Sequence, residues 1–248
     1  MDYEAKELLK LVRPETRPFI PKKIWWKAKF FGKQVIKEYL WNYYKRESDT
    51  RIPYYIPSIF MKECMQYLCR CGKISKDRLQ MVLIDGEDFR IDHFLSKYLE
   101  EFQYVTIVTD RKEYFLSLQE RAFQELGLLI DLVHSWEDKE LSGNLVWDFS
   151  EKIQKNDCYP KGSICFLPYK KEWKQLEVQN AAPDVTIVSV ACVLVKGMEL
   201  PVGLAETMLV PADVTFRTSR CEMLRTWCEK QKWRIKLKVC KAPKTLTF

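Results

Sequence analysis

The chain has 248 residues, 47% of them hydrophobic and 13% aromatic, with 41 Lys/Arg against 34 Asp/Glu for a net charge of +7. That much apolar side chain buries a large core, which excludes a disordered or fibrous chain and predicts one large domain or two small ones. No apolar run approaches the roughly 20 residues that span a bilayer, and the charged opening MDYEAKELLKLVRPETRP does not read as a secretory signal, so the expected compartment is the cytoplasm.

The charge is concentrated at the ends. Residues 1–52 hold 13 Lys/Arg against 7 Asp/Glu, residues 217–248 hold 10 against 2, and residues 53–216 hold 18 against 25. Such asymmetry fits attraction to a polyanion, or two basic ends folding back onto an acidic middle. The nine cysteines are odd in number, and Cys64, Cys165 and Cys192 sit as small core residues, as in a reducing compartment. The spacing Cys64-x4-Cys69-x-Cys71 is not that of a zinc site, and His93 and His134 are the only imidazoles, so no metal centre is expected.

In chain order, Tyr3–Val12 reads as a short helix stopped by Pro14, Pro18 and Pro21. Lys22–Arg46 reads as a second, with Ile24, Ala28, Phe31, Val35, Tyr39 and Tyr43 on one face. Its other side interleaves Trp26, Phe30, Trp41 and Tyr44 with Lys29, Lys33 and Lys37. That pattern suits a protein partner, single-stranded bases or a membrane interface, or a helix buried on two sides with Lys stems along aromatic rings. Residues 48–57 read as a linker. A helix over Ser58–Cys71 follows, with Gly72 as its left-handed stop. The domain boundary is placed near residue 76, separating a helical, basic, aromatic-rich region (1–75) from an α/β domain (76–248).

The α/β pattern is densest over residues 79–133. Strands are expected at Leu79–Gly86, Tyr104–Thr109 and Leu128–Val133, with helices at Phe89–Phe102 and Lys112–Leu126 between them. Strands rich in Val, Ile and Leu without alternation are buried on both faces, as in a parallel sheet with right-handed crossovers. Beyond a polar connection at His134–Ser142, strands are expected at Asn144–Trp147, Ser163–Leu167 and Asp184–Val195, and helices at Pro168–Asn180, Leu200–Leu209 and Arg220–Lys232. Trp233–Val239 alternates as an edge strand guarded by lysines.

A strand, a tight turn with glycine, a helix and a second strand closed by an acidic residue resembles the nucleotide-binding half of the Rossmann family of dinucleotide-binding domains, over roughly residues 79–195. The resemblance implies a Rossmann-like doubly wound, mostly parallel α/β sheet carrying an N-terminal helical arm, with NAD(P) as the implied cofactor. Where the family has Gly-x-Gly-x-x-Gly, this sequence has Gly86-Glu87-Asp88-Phe89-Arg90-Ile91 and keeps only the first glycine. Gly86, Asp88 and Asp110 are the implied cofactor-binding positions. Asp85, Glu87 and Asp88 set negative charge where a pyrophosphate would sit, repelling it unless a cation intervenes. Asp110 lies 24 residues after Gly86, at the ribose-binding position, but with Glu113 three residues on it also has capping-box spacing.

If the first strand lies between the second and fourth, Asp110, Asp85 and Asp148 stand along one sheet edge with Asp88 above, a row able to hold Mg²⁺ for phosphoryl chemistry. No companion Lys or Arg signature is evident beside that row. Asp85, Asp148 and His134 are the catalytic candidates, and Asp85 and Asp148 the metal-ligand alternative. The chain has no Gly-x-Ser-x-Gly, P-loop or His-Glu-x-x-His motif. The expected function is a non-catalytic or weakly nucleotide-binding protein that engages a protein partner through Trp26, Phe30, Lys33, Lys37 and Trp41. The alternatives are a nucleotide- or Mg²⁺-dependent enzyme using the acidic edge, and a nucleic-acid-binding protein using the basic termini.

Overall fold

The computed structural model describes residues 55–102, 104–137, 139–150, 158–168, 172–210 and 217–240, with residues 21–31 and positions 13, 16, 35, 38, 39, 42 and 43 nearer the start. The expected helix over Tyr3–Val12, the contact positions Lys33, Lys37 and Trp41, the side chain of Phe30 and the tail at 241–248 lie outside the described residues.

The helices are α1 (Lys22–Phe31), α2 (Tyr55–Ile59), α3 (Met61–Gly72), α4 (Arg90–Tyr98), α5 (Lys112–Leu126), α6 (Glu172–Ala181), α7 (Val202–Leu209) and α8 (Thr218–Lys230). The strands are β1 (Gln80–Ile84), β2 (Tyr104–Val108), β3 (Leu129–Val133), β4 (Leu145–Asp148), β5 (Ile164–Phe166), β6 (Thr186–Val195), β7 (Met198–Leu200) and β8 (Trp233–Val239). They form one eight-stranded sheet in the order β3-β2-β1-β4-β5-β6-β7, with β8 also paired to β6. Pairing is parallel from β3 through to β6 and antiparallel between β6 and β7. The expected placement of the first strand between the second and fourth is therefore found: Ile84 pairs with Val108 on one side and with Asp148 on the other.

Several boundaries differ from expectation for local reasons. The helix expected over Ser58–Cys71 is two, broken at Phe60, and Pro57 sits inside α2, where a first-turn proline forfeits no internal hydrogen bond. The left-handed stop of α3 is Lys73 (φ 52°) rather than Gly72. A Cβ at Gly72 would stand 2.8 Å from Ile164 Cδ1, the end of a side chain that has room to turn aside only by repacking. The last turn of α4 tightens into a 3₁₀ turn at Leu99–Glu101. The strand β7 was not anticipated; it is joined to β6 by Lys196-Gly197, both at positive φ (47° and 84°), the backbone of a two-residue hairpin.

Helices cover both faces of the sheet. On one, Phe94 of α4 meets Trp147 at 4.8 Å between ring centroids, and Trp147 meets Phe166 at 4.5 Å. On the other, Val178 of α6 is buried with Val82, Ile84, Val146 and Cys165. The alternation follows from the two-residue period of a strand, which sends Val146 and Trp147 to opposite sides.

The chain divides into two compact units, one comprising Met1–Ile59 with Ala191–Lys236 and the other Phe60–Val190 with Leu237–Phe248. In the first, α7 and the start of α8 are bonded to α2 and to Thr16 near the start of the chain. Glu206 of α7 is fully buried, and its carboxylate accepts the N–H groups of Tyr55 (2.7 Å) and Ile56 (2.8 Å), donors that a helix start otherwise leaves unmet. Arg217 N–H donates to the Tyr55 hydroxyl, Arg225 to Ile59 O, and Thr16 to Met208 O. The second unit carries β1 to β5 and the turn between β1 and α4. Among the described residues no helix is long and apolar enough to cross a membrane.

Candidate functional site

At the carboxyl edge of the sheet, Asp85 directly follows β1, its N–H bonded to Val108 O (2.9 Å), and its side chain is 1% exposed. Burying a carboxylate is costly unless charge and hydrogen bonds compensate. Here Oδ1 accepts the N–H of Glu87 (2.9 Å) and Nη2 of Arg111 (2.9 Å), while Oδ2 accepts the Thr109 hydroxyl (2.8 Å) and Nε of Arg111 (2.7 Å). Arg111 is thus bidentate on Asp85. It donates in addition to Asp88 O (3.1 Å), and its guanidinium lies 4.3 Å from the centre of the Tyr114 ring. The Asp85 carboxylate holds the Arg111 guanidinium above its ordinary pKa.

The turn itself is drawn tight. Glu87 adopts φ 61°, which the Asp85 side chain stabilises through the Glu87 N–H. Asp88 accepts Arg90 N–H (2.8 Å) and Nε (2.6 Å), and Arg90, buried to 1% exposure, reaches on to Phe149 O (2.8 Å). Gly86 lies under this bridge. A Cβ at that position would come within 2.4 Å of Phe149 O and 2.8 Å of Arg90 Nη2, so the glycine serves close approach to the chain beyond β4. Two of the turn's three carboxylates, those of Asp85 and Asp88, are thus compensated by arginines.

The remaining candidates are dispersed. Asp148 is fully buried, its oxygens accepting Ser150 N–H (2.8 Å) and the Tyr159 hydroxyl (2.9 Å); burial and the Asp148 charge push the Tyr159 phenol well above its ordinary pKa. Asp110 does not cap α5, whose first turn receives no side-chain cap bond. It faces solvent and accepts the Ser135 hydroxyl (2.8 Å) and N–H (3.2 Å), tying the ends of β2 and β3 together. His134 stacks on Trp136 (4.9 Å, 14°), and its Nδ1, which makes no hydrogen bond among the described residues, is 4.0 Å from Asp110 Oδ1. Glu137 accepts His134 N–H and Lys112 Nζ, and the lysine draws its carboxyl below the usual range. Among the described residues no three His, Cys, Asp or Glu side chains converge as a metal site.

Two residues that the sequence reading did not assign dominate the site, Arg90 and Arg111. The missing companion cation of the acidic row is Arg111, beside Asp110 in the sequence. The sequence carries only part of its signal, a basic residue just past the second strand; its place beside the acidic turn comes from the pairing of β1 with β2. Trp26, at the other end of the chain in the first compact unit, is 63% exposed on α1. Set against known protein families and curated proteins, the chain matches none.

Proposed function

We propose that this is a Rossmann-like α/β protein whose dinucleotide crevice is filled by its own arginines, and which works by binding a macromolecular partner rather than by catalysis. The strand order β3-β2-β1-β4-β5-β6 supports the family-level reading, since its reversal beside β1 is where such sheets take ligands. The observation that carries the functional reading is the bidentate clasp of Arg111 on Asp85, at 2.7 and 2.9 Å. It puts a protein cation where a pyrophosphate would need free backbone N–H groups, while the Asp88 carboxylate takes the Arg90 N–H that would otherwise meet an anion. Asp110, solvent-facing at the ribose position, favours the second reading of a retained nucleotide site.

A thermal-shift panel with NAD(H), NADP(H), ATP, S-adenosylmethionine and Mg²⁺ decides between them. A ligand at 100 times its Kd stabilises a fold by about 2.7 kcal/mol, a rise of roughly 5–10 °C for a chain of this size. No shift with any member is expected. A shift with a dinucleotide refutes the reading.

A further inference from the structure

We propose that the basic compact unit binds single-stranded nucleic acid, with Trp26 as a base-stacking platform flanked by Lys22, Lys23 and Lys27. The proposal rests on the reading of the chain as a binding protein and names the partner. The unit made of residues 1–59 and 191–236 holds 21 Lys/Arg against 12 Asp/Glu, whereas the other holds 20 against 22, so the excess positive charge of the protein belongs to one body.

Within that body α1, KKIWWKAKFF, has four lysines and no acidic residue. Lys22, Lys23 and Lys27 are exposed, and so is Trp26, while Ile24 is half-buried. At about 100° per residue, Trp26 falls between Lys22 and Lys23 on the helix surface, with Lys27 next along. Side chains three and four apart on a helix have Cβ atoms about 5–6 Å apart, so a base stacked on the indole has an ammonium beside it on either flank, within reach of the adjoining phosphates. The same unit also exposes Arg217, Lys230, Lys232 and Arg234.

The arrangement separates a nucleic acid strand from a membrane surface. A helix that lies in a bilayer interface gathers its aromatic and apolar side chains on one face and its lysines on the opposite one. In α1 the exposed indole sits inside the lysine face. Stacking on an aromatic ring flanked by cations is indifferent to base identity, so the expected ligand is single-stranded and read without sequence preference.

The test uses the full chain and fluorescein-labelled 20-nucleotide oligothymidine, followed by anisotropy between 50 and 200 mM salt, with a duplex of equal length and phosphatidylserine/phosphatidylcholine vesicles alongside. Binding to the single strand is expected, with Trp26→Ala weakening it about 5- to 150-fold, the equivalent of roughly 1–3 kcal/mol per stacked base, and Trp26→Phe retaining most of it. Lys23→Gln with Lys27→Gln should flatten the slope of log K against log salt by about 1.4, at roughly 0.7 per phosphate contact. The two lysines are exposed, and their replacement leaves the melting temperature unchanged. Absence of binding at 50 mM salt, binding that neither variant weakens, or Trp26-dependent association with the vesicles alone would each overturn the proposal. Its failure is separable from that of the parent reading, which falls only with a dinucleotide-induced thermal shift.

Discussion

Replacing Arg111 by alanine isolates what the arginine clasp contributes. The substitution removes both hydrogen bonds to Asp85 (2.7 and 2.9 Å) and the bond to Asp88 O, leaving a carboxylate of 1% exposure with only the Thr109 hydroxyl and the Glu87 N–H. Breaking a fully buried ion pair by deleting one partner costs about 3–5 kcal/mol. The Arg111 side chain is 28% exposed, so water enters the vacated space, and the expected loss falls to about 2–3 kcal/mol. For a chain of this length that lowers the melting temperature by roughly 5–10 °C. The assay is thermal unfolding followed by circular dichroism, with Glu229→Ala as a control that breaks the exposed Arg225–Glu229 pair, worth about 0.3–0.5 kcal/mol. Asp85→Asn in the Arg111→Ala background should recover much of the loss by removing the stranded charge. A loss no larger than that of the control, or no recovery in the double variant, refutes the account of the turn as an internally compensated site.

Three further outcomes rest on the packing of the turn and of the buried side chains. Gly86→Ala drives a Cβ to 2.4 Å from a backbone oxygen, so it should destabilise by about 1–3 kcal/mol or more in urea titrations, and a midpoint equal to wild type would show that the bridge to Phe149 is loose. Burial raises the Asp92 carboxyl above its ordinary value of 3.8 against the opposing bond from the Tyr114 hydroxyl. A raised pKa lends stability below that ordinary value and loses it as pH rises through the folded one; Asp92→Asn should therefore melt higher than wild type at pH 7 and not at pH 3, and identical curves at pH 7 would remove the claim. Burial likewise pushes the Cys64 and Cys228 thiols up, while Cys71 is exposed, so iodoacetamide on the native protein should label Cys71 before either, as read by peptide mass spectrometry. Early labelling of Cys228 would count against the packing around α8.

The α/β class and the parallel strands of the first half were legible in the sequence because they depend on local periodicity, whereas the place of β1 between β2 and β4 was expected only from the family resemblance. Strands such as QMVLI and YVTIV, buried almost throughout, and helices with apolar residues three and four apart carry their own instructions. The departure at Gly86-Glu87-Asp88 was legible too, because a missing glycine is a property of one position. Tertiary structure alone decided what that departure means. Arg111 stands 26 residues from Asp85, and Phe149 O stands 59 from Arg90; only the parallel pairing of β1 with β2 and β4 brings them together. The carboxylates that looked like a row are divided for the same reason: Asp148, paired with Ile84 at the end of β4, turns into the core toward Tyr159, while Asp110, two residues past β2, faces solvent. The bond of Glu206 to the start of α2, 151 residues from Tyr55, is likewise a contact no local pattern encodes. Periodicity is written residue by residue, whereas charge compensation across a sheet edge depends on which strands become neighbours.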